Sequence, residues 1–232
     1  MRLDKFLSDS TDMSRKDIKQ LIKKKSVTVN GGIITKPETQ VEENDAVTVN
    51  GQAVLYRRFI YLMLNKPSGY VSATEDKKYP VVTDLVPKEY RHFDVFPAGR
   101  LDIDTEGLLI LTNDGEFVHD ITSPKKNVYK RYFARLDKPA GDEDISVFAE
   151  GMEFKDFTAK PARLEICVGG TEAYVEIAEG KFHQVKRMFE RVGKTVLYLK
   201  RVSIGGLELP EDLAPGEVKE IGYADIINKI YS

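Results

Sequence analysis

The segment from Gly99 to Gly107 carries the residue types in this sequence that are best suited to chemistry. Three carboxylates fall within five residues, at Asp102, Asp104 and Glu106, and an arginine lies two positions before the first. The apolar run 108–111 follows directly and predicts a buried strand. A carboxylate at the mouth of a strand can act as a nucleophile, a general base, a metal ligand or a turn residue. The choice among these four roles determines what the protein does.

A calcium site is the first role to weigh. In an EF-hand-like loop, Asp102, Asp104 and Glu106 would occupy positions one, three and five. The bidentate acid due at position twelve is missing, because Asn113 stands there. Residues 108–112 also look like a buried strand rather than a ligand-bearing loop. The pattern therefore disfavours a metal site.

Two further roles depend on which way the carboxylates point. Glycoside hydrolysis needs carboxylates on opposite sides of the scissile bond, about 5–10 Å apart. Asp102 and Asp104 would point the same way from an extended segment, so they do not fit that arrangement. Asp, Thr and Gly are also common in a plain turn before a strand. Local spacing alone therefore favours a turn.

The chain from Phe59 onward indicates strands interspersed with helices. Strands are predicted at 60–64, 108–112, 128–136, 163–168, 172–177 and 196–204, and a turn at 65–69. Helices are predicted at 116–121, 142–150 and 183–192. Because strands dominate without a strict strand–helix alternation, the pattern favours an α+β domain with helices on the faces of a mixed sheet.

Residues 1–56 form a separate, smaller pattern. A short helix is predicted at 2–7, and Ser14 can cap a second helix with Asp17 reaching back toward it. This second helix has a basic stripe, which consists of Arg15, Lys16, Lys19 and Lys23. Strands at 27–29 and 46–49, each followed by an Asn-Gly turn, predict a small β-ribbon. Such a basic helix face suits an RNA backbone better than a base-reading site. Residues 52–58 are predicted to be a linker.

The formal net charge of −2 says nothing about partners, but the charge is unevenly distributed. Residues 1–60 hold 11 Lys and Arg against 8 Asp and Glu. Residues 125–138 carry six cations and one acid, and residues 181–201 carry seven cations and one acid. Positive islands on a nearly neutral protein suggest local contacts with a polyanion.

The cysteine content and the hydropathy of the sequence indicate the cellular compartment in which the protein works. Cys167 is the single cysteine, so an internal disulfide is impossible and a reducing compartment is favoured. Its alternating surroundings predict a buried strand position. No apolar run approaches the ~20 residues of a membrane span, and no signal-peptide pattern follows the N-terminus. We therefore expect a cytoplasmic location and no membrane partner.

Five ordered motifs give the carboxylate segment a specific context. Arg100-Leu101-Asp102 resembles the catalytic signature of pseudouridine synthases, and the run 97–109 resembles its version in the RsuA/RluB/RluE/RluF family. The other motifs of that family stand in the family's order at 65–71, 129–132, 180–189 and 201–207. Residues 1–56 resemble the RNA-binding domain named for ribosomal protein S-four. The resemblance covers nearly the whole chain.

The resemblance implies a role for each of the main site residues. Members of the family detach uracil from its ribose, rotate it and rejoin it through carbon. By motif position Asp102 is the catalytic carboxylate, and whether it attacks the sugar or the base stays open. Since burial favours a neutral acid, a nearby cation must keep Asp102 ionised, and the motif position of that cation is Lys186. Tyr132 would lie against the target base.

The remaining assignments concern RNA. Arg100 is expected to contact phosphate or to help hold a flipped-out nucleotide. RNA binding is further assigned to Arg15, Lys16, Lys19, Lys23, Lys130 and Arg187. Asp104 and Glu106 are expected to shape the turn. The resemblance implies no cofactor, and no metal-ligand spacing is present.

Taken together, the sequence predicts an RNA-binding domain at 1–56 and a pseudouridine synthase domain at 59–232. The expected fold is α+β, with a mixed, largely antiparallel central sheet flanked by helices. The expected substrate is ribosomal RNA, with 16S rRNA of the small subunit favoured over a 23S rRNA uridine. An RNA-binding module without catalysis is the alternative from another class. The protein is expected to act as a monomer.

Overall fold

The N-terminal helices are organised by their caps and apolar faces. The computed structural model describes residues 1–123 and 125–231. Helix α1 spans Leu3–Ser10 and helix α2 spans Arg15–Lys23. Ser14 caps α2 as predicted, because its hydroxyl accepts a hydrogen bond from the Asp17 amide at 3.2 Å. The Asp17 carboxylate in turn accepts from that hydroxyl at 2.5 Å, which keeps the first turn of α2 closed.

A small antiparallel sheet completes this region. Its strands are β1 Val27–Val29, β2 Gly32–Ile33, β3 Val47–Val49 and β4 Gln52–Val54, in the order β2-β1-β3-β4. Both predicted Asn-Gly turns are present, and their four residues have positive φ angles, as a type I′ turn requires. The linker prediction for 52–58 is wrong at its start, because Gln52–Val54 pairs with β3. The core contains Leu3, Phe6, Leu7, Ile18, Ile22, Val27, Val41, Val47 and Val49.

The chain divides into two units. The first comprises Met1–Ile60 together with Val86–Val95, and the second comprises Tyr61–Leu85 together with the chain from Phe96 onward. The grouping of residues 86–95, which contain a 3₁₀ helix at Lys88–Phe93, with the N-terminal residues was not predicted.

The second unit is built on a mixed sheet. The strands of this unit are β5 Tyr61–Lys66, β6 Phe96–Pro97, β7 Glu106–Thr112, β8 Lys130–Leu136, β9 Met152–Glu153, β10 Thr158–Ala159, β11 Arg163–Ile166, β12 Glu172–Ile177, β13 Val196–Ile204, β14 Leu207–Glu208 and β15 Val218–Glu220. Its helices are α3 Gly115–Thr122, α4 Asp142–Glu150, α5 Gln184–Arg191 and α6 Tyr223–Ile230, with a 3₁₀ turn at Val82–Leu85. The main sheet runs β11-β12-β8-β13-β7-β5-β15, and β6 and β14 pair on β7 and β13. The pairing of β13 with β7 is parallel and the other pairings are antiparallel. The predicted fold is confirmed.

The carboxylate segment enters the sheet through β7, where a glycine is required. Gly107 has φ +101°, a conformation that residues with a Cβ rarely adopt. A Cβ atom at this position would also collide with the Arg201 carbonyl of β13. The parallel pair β7–β13 can therefore approach closely only with glycine here, which fixes the end of the carboxylate segment against the sheet.

Helices α3 and α6 cover an apolar core that includes residues of β5 and β7. This core contains Tyr61, Met63, Ala98, Leu108, Ile110, Phe117, Ile121, Val128, Ile204, Leu207, Leu213, Ile226 and Ile230. Elsewhere in the unit, α4 and α5 meet through Phe148 and Phe189, whose ring centroids lie 5.0 Å apart. Both rings are fully buried, so α5 is held firmly where it carries Lys186.

Some element predictions are confirmed to the residue and others are wrong. The predicted bounds of α4, β12 and β13 match the structure. Cys167 is half-buried and lies just beyond β11, so its assignment to a buried strand is wrong. Helix α6 was not predicted. No helix among the described residues is long and apolar enough to cross a membrane.

Candidate active site

Asp102 lies in the turn that leads into β7. The Thr105 amide donates to the Asp102 carbonyl at 3.1 Å, which closes the turn. The Asp102 side chain is half-buried, with 27% of it exposed. It lines a cavity of about 60 Å³ on one side and a groove of about 330 Å³ on the other. The carboxylate can therefore contact a ligand in the cavity and also a polymer chain that lies in the groove.

A buried lysine holds this turn from below. Lys66, at the end of β5, is fully buried. Its ammonium donates to the carbonyls of Pro67, Ile103 and Thr105 at 3.1, 3.2 and 2.8 Å. Burial lowers the pKa of Lys66 to about 8, against the opposing effect of the nearby carboxylates, of which Asp104 is the strongest. The ammonium donates the hydrogen bonds that these three carbonyls would otherwise accept from water. These bonds fix the backbone that carries Asp102.

Two further contacts tie the same turn to the segment after β5. The Ser72 hydroxyl bonds to both the amide and the carbonyl of Leu101, each at 3.0 Å. The Gly69 amide donates to the Ile103 carbonyl at 2.8 Å. The residues on either side of Asp102 are thus both hydrogen-bonded to residues 66–72, which leaves its backbone little freedom.

The cation beside Asp102 is Lys186, in the first turns of α5. Its ammonium lies 3.4 Å from Asp102 Oδ2 and 2.6 Å from Asp104 Oδ1. Burial alone would raise the pKa of Asp104, but the hydrogen bond and charge of Lys186 outweigh it, so the net shift is downward. Asp104 therefore does more than shape a turn, because it shares the cation with Asp102.

The loop before α5 is anchored by buried polar groups. The Gln184 side chain accepts from the Lys181 amide at 3.0 Å and donates to Glu179 at 3.1 Å. Glu179 is buried and also accepts from the Lys160 amide at 2.8 Å. His183 has φ +50° and its Nε2 lies 3.7 Å from Asp102 Oδ1. The anchors hold this histidine in an unusual backbone conformation next to the carboxylate.

Tyr132, on β8, lies in the same cavity as Asp102. Its side chain is buried, with 7% exposed. The cavity wall combines the apolar side chains of Leu101, Ile177, Val185 and Leu199 with polar ones. An aromatic face and apolar side chains next to a carboxylate suit a planar, uncharged ring such as a nucleobase.

Three carboxylates close in sequence have three different surroundings. Asp102 faces Lys186 and His183, whereas Asp104 is held by Lys186. Glu106 accepts a hydrogen bond from the Tyr198 hydroxyl at 2.7 Å. Among the described residues, no group of three or more His, Cys, Asp or Glu side chains is placed to hold a metal ion.

The RNA-binding assignment of Lys130 is wrong. Its side chain is buried, with 8% of the residue exposed, and its ammonium donates to the carbonyls of Ile121 and Val128 at 3.0 and 2.7 Å. Burial, assisted by the charge of Arg201, lowers the pKa of Lys130 to about 8. Lys130 therefore joins α3 to β8, and its ammonium is bonded to backbone carbonyls rather than presented on the surface.

Arg187 also differs from its prediction. Its guanidinium makes a two-pronged contact with Asp156, at 3.0 and 2.5 Å. It also lies over the rings of Phe154 and Phe157, 4.8 and 4.6 Å from their centroids. With its charge paired and its planar face covered, Arg187 holds the 154–157 hairpin rather than presenting a free cation.

The other predicted cations are exposed. Arg100 lies on the rim between the small cavity and the larger groove. In the first unit, Arg15, Lys16, Lys19 and Lys23 are all exposed on α2, while Ile18 and Ile22 are buried on its other face. The amphipathic helix is as predicted, and the RNA contacts of its cations stay a prediction.

The contacts of Lys66 and Ser72 with the Asp102 turn, and the contact of Lys186 with Asp104, were not predicted from the sequence. Lys66 follows a continuous apolar run, which in retrospect signals burial for the lysine as well. Arg201 was also passed over: it is 4% exposed, and its Nε donates to the Leu108 carbonyl at 2.7 Å. Ser72 and Arg201 have no comparable local signal, because their partners come from distant parts of the chain.

Comparison with known proteins identifies the class. The family model for RNA pseudouridylate synthase matches residues 60–191, and the model for the S4 domain matches residues 1–47. The chain belongs to the RNA pseudouridine synthase family, in the branch that carries an N-terminal S4 domain. It is an RNA-modifying isomerase.

Individual relatives cover the whole chain. An uncharacterized RNA pseudouridine synthase of Bacillus subtilis, YtzG, is 47% identical over 95% of each chain. Ribosomal small subunit pseudouridine synthase A of Escherichia coli is 38% identical, over 99% of this chain and 100% of its own. A crystal structure of a pseudouridylate synthase superposes with a TM-score of 0.69 at 34% identity, over 99% of both chains.

Proposed function

We propose that this protein converts one specific uridine of 16S ribosomal RNA to pseudouridine, with Asp102 as its nucleophile. The observation that carries the proposal is that Asp102 lines one cavity with Tyr132 and lies 3.4 Å from the Lys186 ammonium. The choice of the small subunit is supported by relatives named small subunit synthases, which match over their full length.

The reaction needs no redox partner and no added group. The bond between uracil N1 and ribose C1′ breaks, the ring turns, and a bond forms between C5 and C1′. The proton on C5 leaves, and N1 ends with a proton, so atoms and electrons balance within the nucleotide and the solvent. A single carboxylate that attacks and later leaves is sufficient for such chemistry.

Lys186 and Tyr132 support this carboxylate in the proposal. The Lys186 ammonium lies 3.4 Å from Asp102 Oδ2 and places a positive charge beside the nucleophile. The aromatic ring of Tyr132 stacks against the detached uracil while the uracil rotates. Arg100, exposed on the rim, contacts a phosphate next to the flipped nucleotide, which helps to offset the few kcal/mol that flipping costs.

The N-terminal residues supply binding rather than chemistry. We assign residues 1–56 to an RNA-binding domain and 59–232 to the catalytic domain. The α2 cations Arg15, Lys16, Lys19 and Lys23 are exposed and suit contacts with RNA phosphates. Asp102, Tyr132 and Lys186 come from one chain, which suits activity as a monomer. The rRNA substrate and the single cysteine suit a cytoplasmic protein.

Tritium release from rRNA tests the proposal directly, because the C5 proton is lost only when the new bond forms. Transcripts of 16S and 23S rRNA would carry uridine tritiated at C5 and be incubated with the purified full-length chain. We expect release from 16S rRNA, limited to one equivalent, and none with Asp102→Asn. Release from 23S rRNA alone would move the target to the large subunit. Absence of release from both, with correctly folded protein, would contradict the assignment.

A further inference from the structure

An exposed aromatic ring stands at the edge of the groove that contains Asp102. Phe182 is 69% exposed, in the turn just before α5. Single exposed apolar residues are common on proteins and need no explanation. Phe182 differs because it lines the same groove as Asp102. Its exposed ring therefore borders the space through which a substrate chain must reach Asp102.

The ring is held by a stack rather than by a core. The ring centroids of Phe182 and His183 lie 3.9 Å apart with 17° between their planes. His183 Nε2 is in turn 3.7 Å from Asp102 Oδ1. The carboxylate, the imidazole and the phenyl ring thus form a row that leads from the reactive group to solvent. One face of Phe182 is covered by His183, and the other is free for a further ring.

The turn that carries the stack is well fixed. The Gln184 amide donates to the Lys181 carbonyl at 3.1 Å, and the Lys181 amide donates to the Gln184 side chain at 3.0 Å. His183 keeps a left-handed conformation, which is unfavourable for a residue with a Cβ and persists only when its surroundings impose it. The ring pair is therefore presented at a set position instead of moving with a loose loop.

The charges of the groove favour an anionic chain. Arg100 and Lys181 are exposed and line the groove together with Phe182 and His183. Asp102 is the carboxylate among its lining residues. Cations that follow a backbone, combined with an aromatic face for a base, are the usual means of binding single-stranded nucleic acid. An apolar protein segment would gain nothing from the two cations.

We propose that the free face of Phe182 stacks on the nucleobase next to the target uridine, holding the flanking strand in place while the uridine enters the Asp102 cavity. The inference rests on the proposed function and adds a positioning residue to it. Because every base has an aromatic face, the contact depends weakly on the identity of the flanking base. Phe182 touches no reacting atom, and its contribution appears in binding.

Steady-state turnover tests the inference on whichever rRNA transcript the wild-type protein modifies. Phe182→Leu keeps apolar area but has no aromatic face, and we expect its KM to rise roughly 10- to 100-fold with kcat within a few-fold. Phe182→Trp should restore the wild-type KM. Tyr231→Ala, at an exposed aromatic outside the groove, is the matched control and should change neither parameter. An unchanged KM in Phe182→Leu, with the wild type active, would overturn the inference and leave the proposed function intact.

A second measurement does not depend on turnover. An oligouridylate with one central 2-aminopurine reports stacking through quenching of its fluorescence. Bound to Asp102→Asn, the probe should be quenched, and with Phe182→Leu added to that variant the quenching should fall to the level of the free oligonucleotide. Equal quenching with and without Phe182 would show that the ring serves another purpose, such as docking of a protein. This outcome is informative even if neither rRNA is modified.

Discussion

The turn that carries Asp102 and the basic face of α2 use lysine in opposite ways. Below the turn, Lys66 is fully buried and its ammonium is bonded to three carbonyls. On α2, Lys16, Lys19 and Lys23 are exposed, and the helix backbone alone sets their spacing. Chemistry needs a carboxylate held within fractions of an ångström, whereas contacts with RNA phosphates need charge at approximate positions. The same residue type therefore fixes a backbone in one region and supplies charge in the other.

The largest expected effect separates the two aspartates that share Lys186. Asp102→Asn should lower the rate of pseudouridine formation by about 1,000-fold or more, the order expected for loss of a nucleophile. Asp104→Asn should lower it by about 10-fold, because it removes the negative charge that helps to position Lys186 across the 2.6 Å contact but leaves Asp102 in place. Single-turnover rates measure both. Equal losses in the two variants would mean that Asp102 has no special role.

Removing the cation should have the next largest effect. Lys186→Met should lower the single-turnover rate by about 100-fold, since it removes the positive charge that lies 3.4 Å from Asp102. Lys186→Arg keeps the charge but changes the geometry of the donors, so its loss should be smaller. The order of the two rates is the test, and a Met variant as active as the Arg variant would contradict a role for the charge.

Of the two buried lysines, Lys66 should support both catalysis and stability, whereas Lys130 should support stability alone. Lys66→Met should lower the free energy of unfolding by about 2–4 kcal/mol, because it leaves buried carbonyls without a donor. It should also reduce turnover at temperatures where the variant remains folded, since the Asp102 turn loses its support. Lys130→Met should lose comparable stability with turnover within a few-fold of wild type. Chemical denaturation and rate measurements on the two variants give the comparison.

The low pKa of Lys130 predicts how stability depends on pH. The folded protein releases this proton near pH 8, whereas the unfolded chain keeps it up to its ordinary value of 10.5. Between these values the unfolded state binds more protons, so the free energy of unfolding rises with pH. Relative to Lys130→Met, the wild type should gain on the order of 1–3 kcal/mol from pH 7 to 10.5. A difference that stays flat over this range would mean that the ammonium is not destabilised by burial.

The smallest effect is expected on the exposed side of the comparison. Each neutralisation, Lys16→Gln or Lys19→Gln, should reduce the slope of log binding constant against log salt concentration by about 1. Catalytic rates at saturating RNA should not change. Lys36→Gln, an exposed cation of the same unit outside α2, is the control. A salt slope unaffected by the α2 changes would remove that helix from the RNA interface.

Periodicity and motif order carried most of the fold and the centre of the site. The bounds of β12 and β13 follow from alternation of apolar and polar residues, and those of α4 follow from helical spacing. The Asp102–Lys186 contact joins residues 84 positions apart, and only the resemblance to a family brought them together. The accessibility of charged side chains was harder to predict, because the type of a charged residue does not tell whether it is buried.

The differences between the expected and observed surroundings of the basic residues share this physical cause. Lys130 and Arg187 were counted as RNA contacts from local charge, yet one is buried on carbonyls and the other is paired with Asp156. Lys66 was predicted to be part of a turn. The carbonyls of Ile103 and Thr105, which accept hydrogen bonds from its ammonium, lie nearly forty residues later in the chain. Partners supplied by distant chain segments leave no local signal, and these are the contacts that fix the Asp102 turn.

Mapping of pseudouridines in rRNA tests the central claim most directly. Cells lacking the gene would be complemented with the wild-type chain or with Asp102→Asn, and 16S and 23S rRNA would be mapped in each. We predict that one 16S pseudouridine disappears on deletion, returns with the wild type, and fails to return with Asp102→Asn expressed at the same level. An unchanged 16S map on deletion, or restoration by Asp102→Asn, would contradict the account.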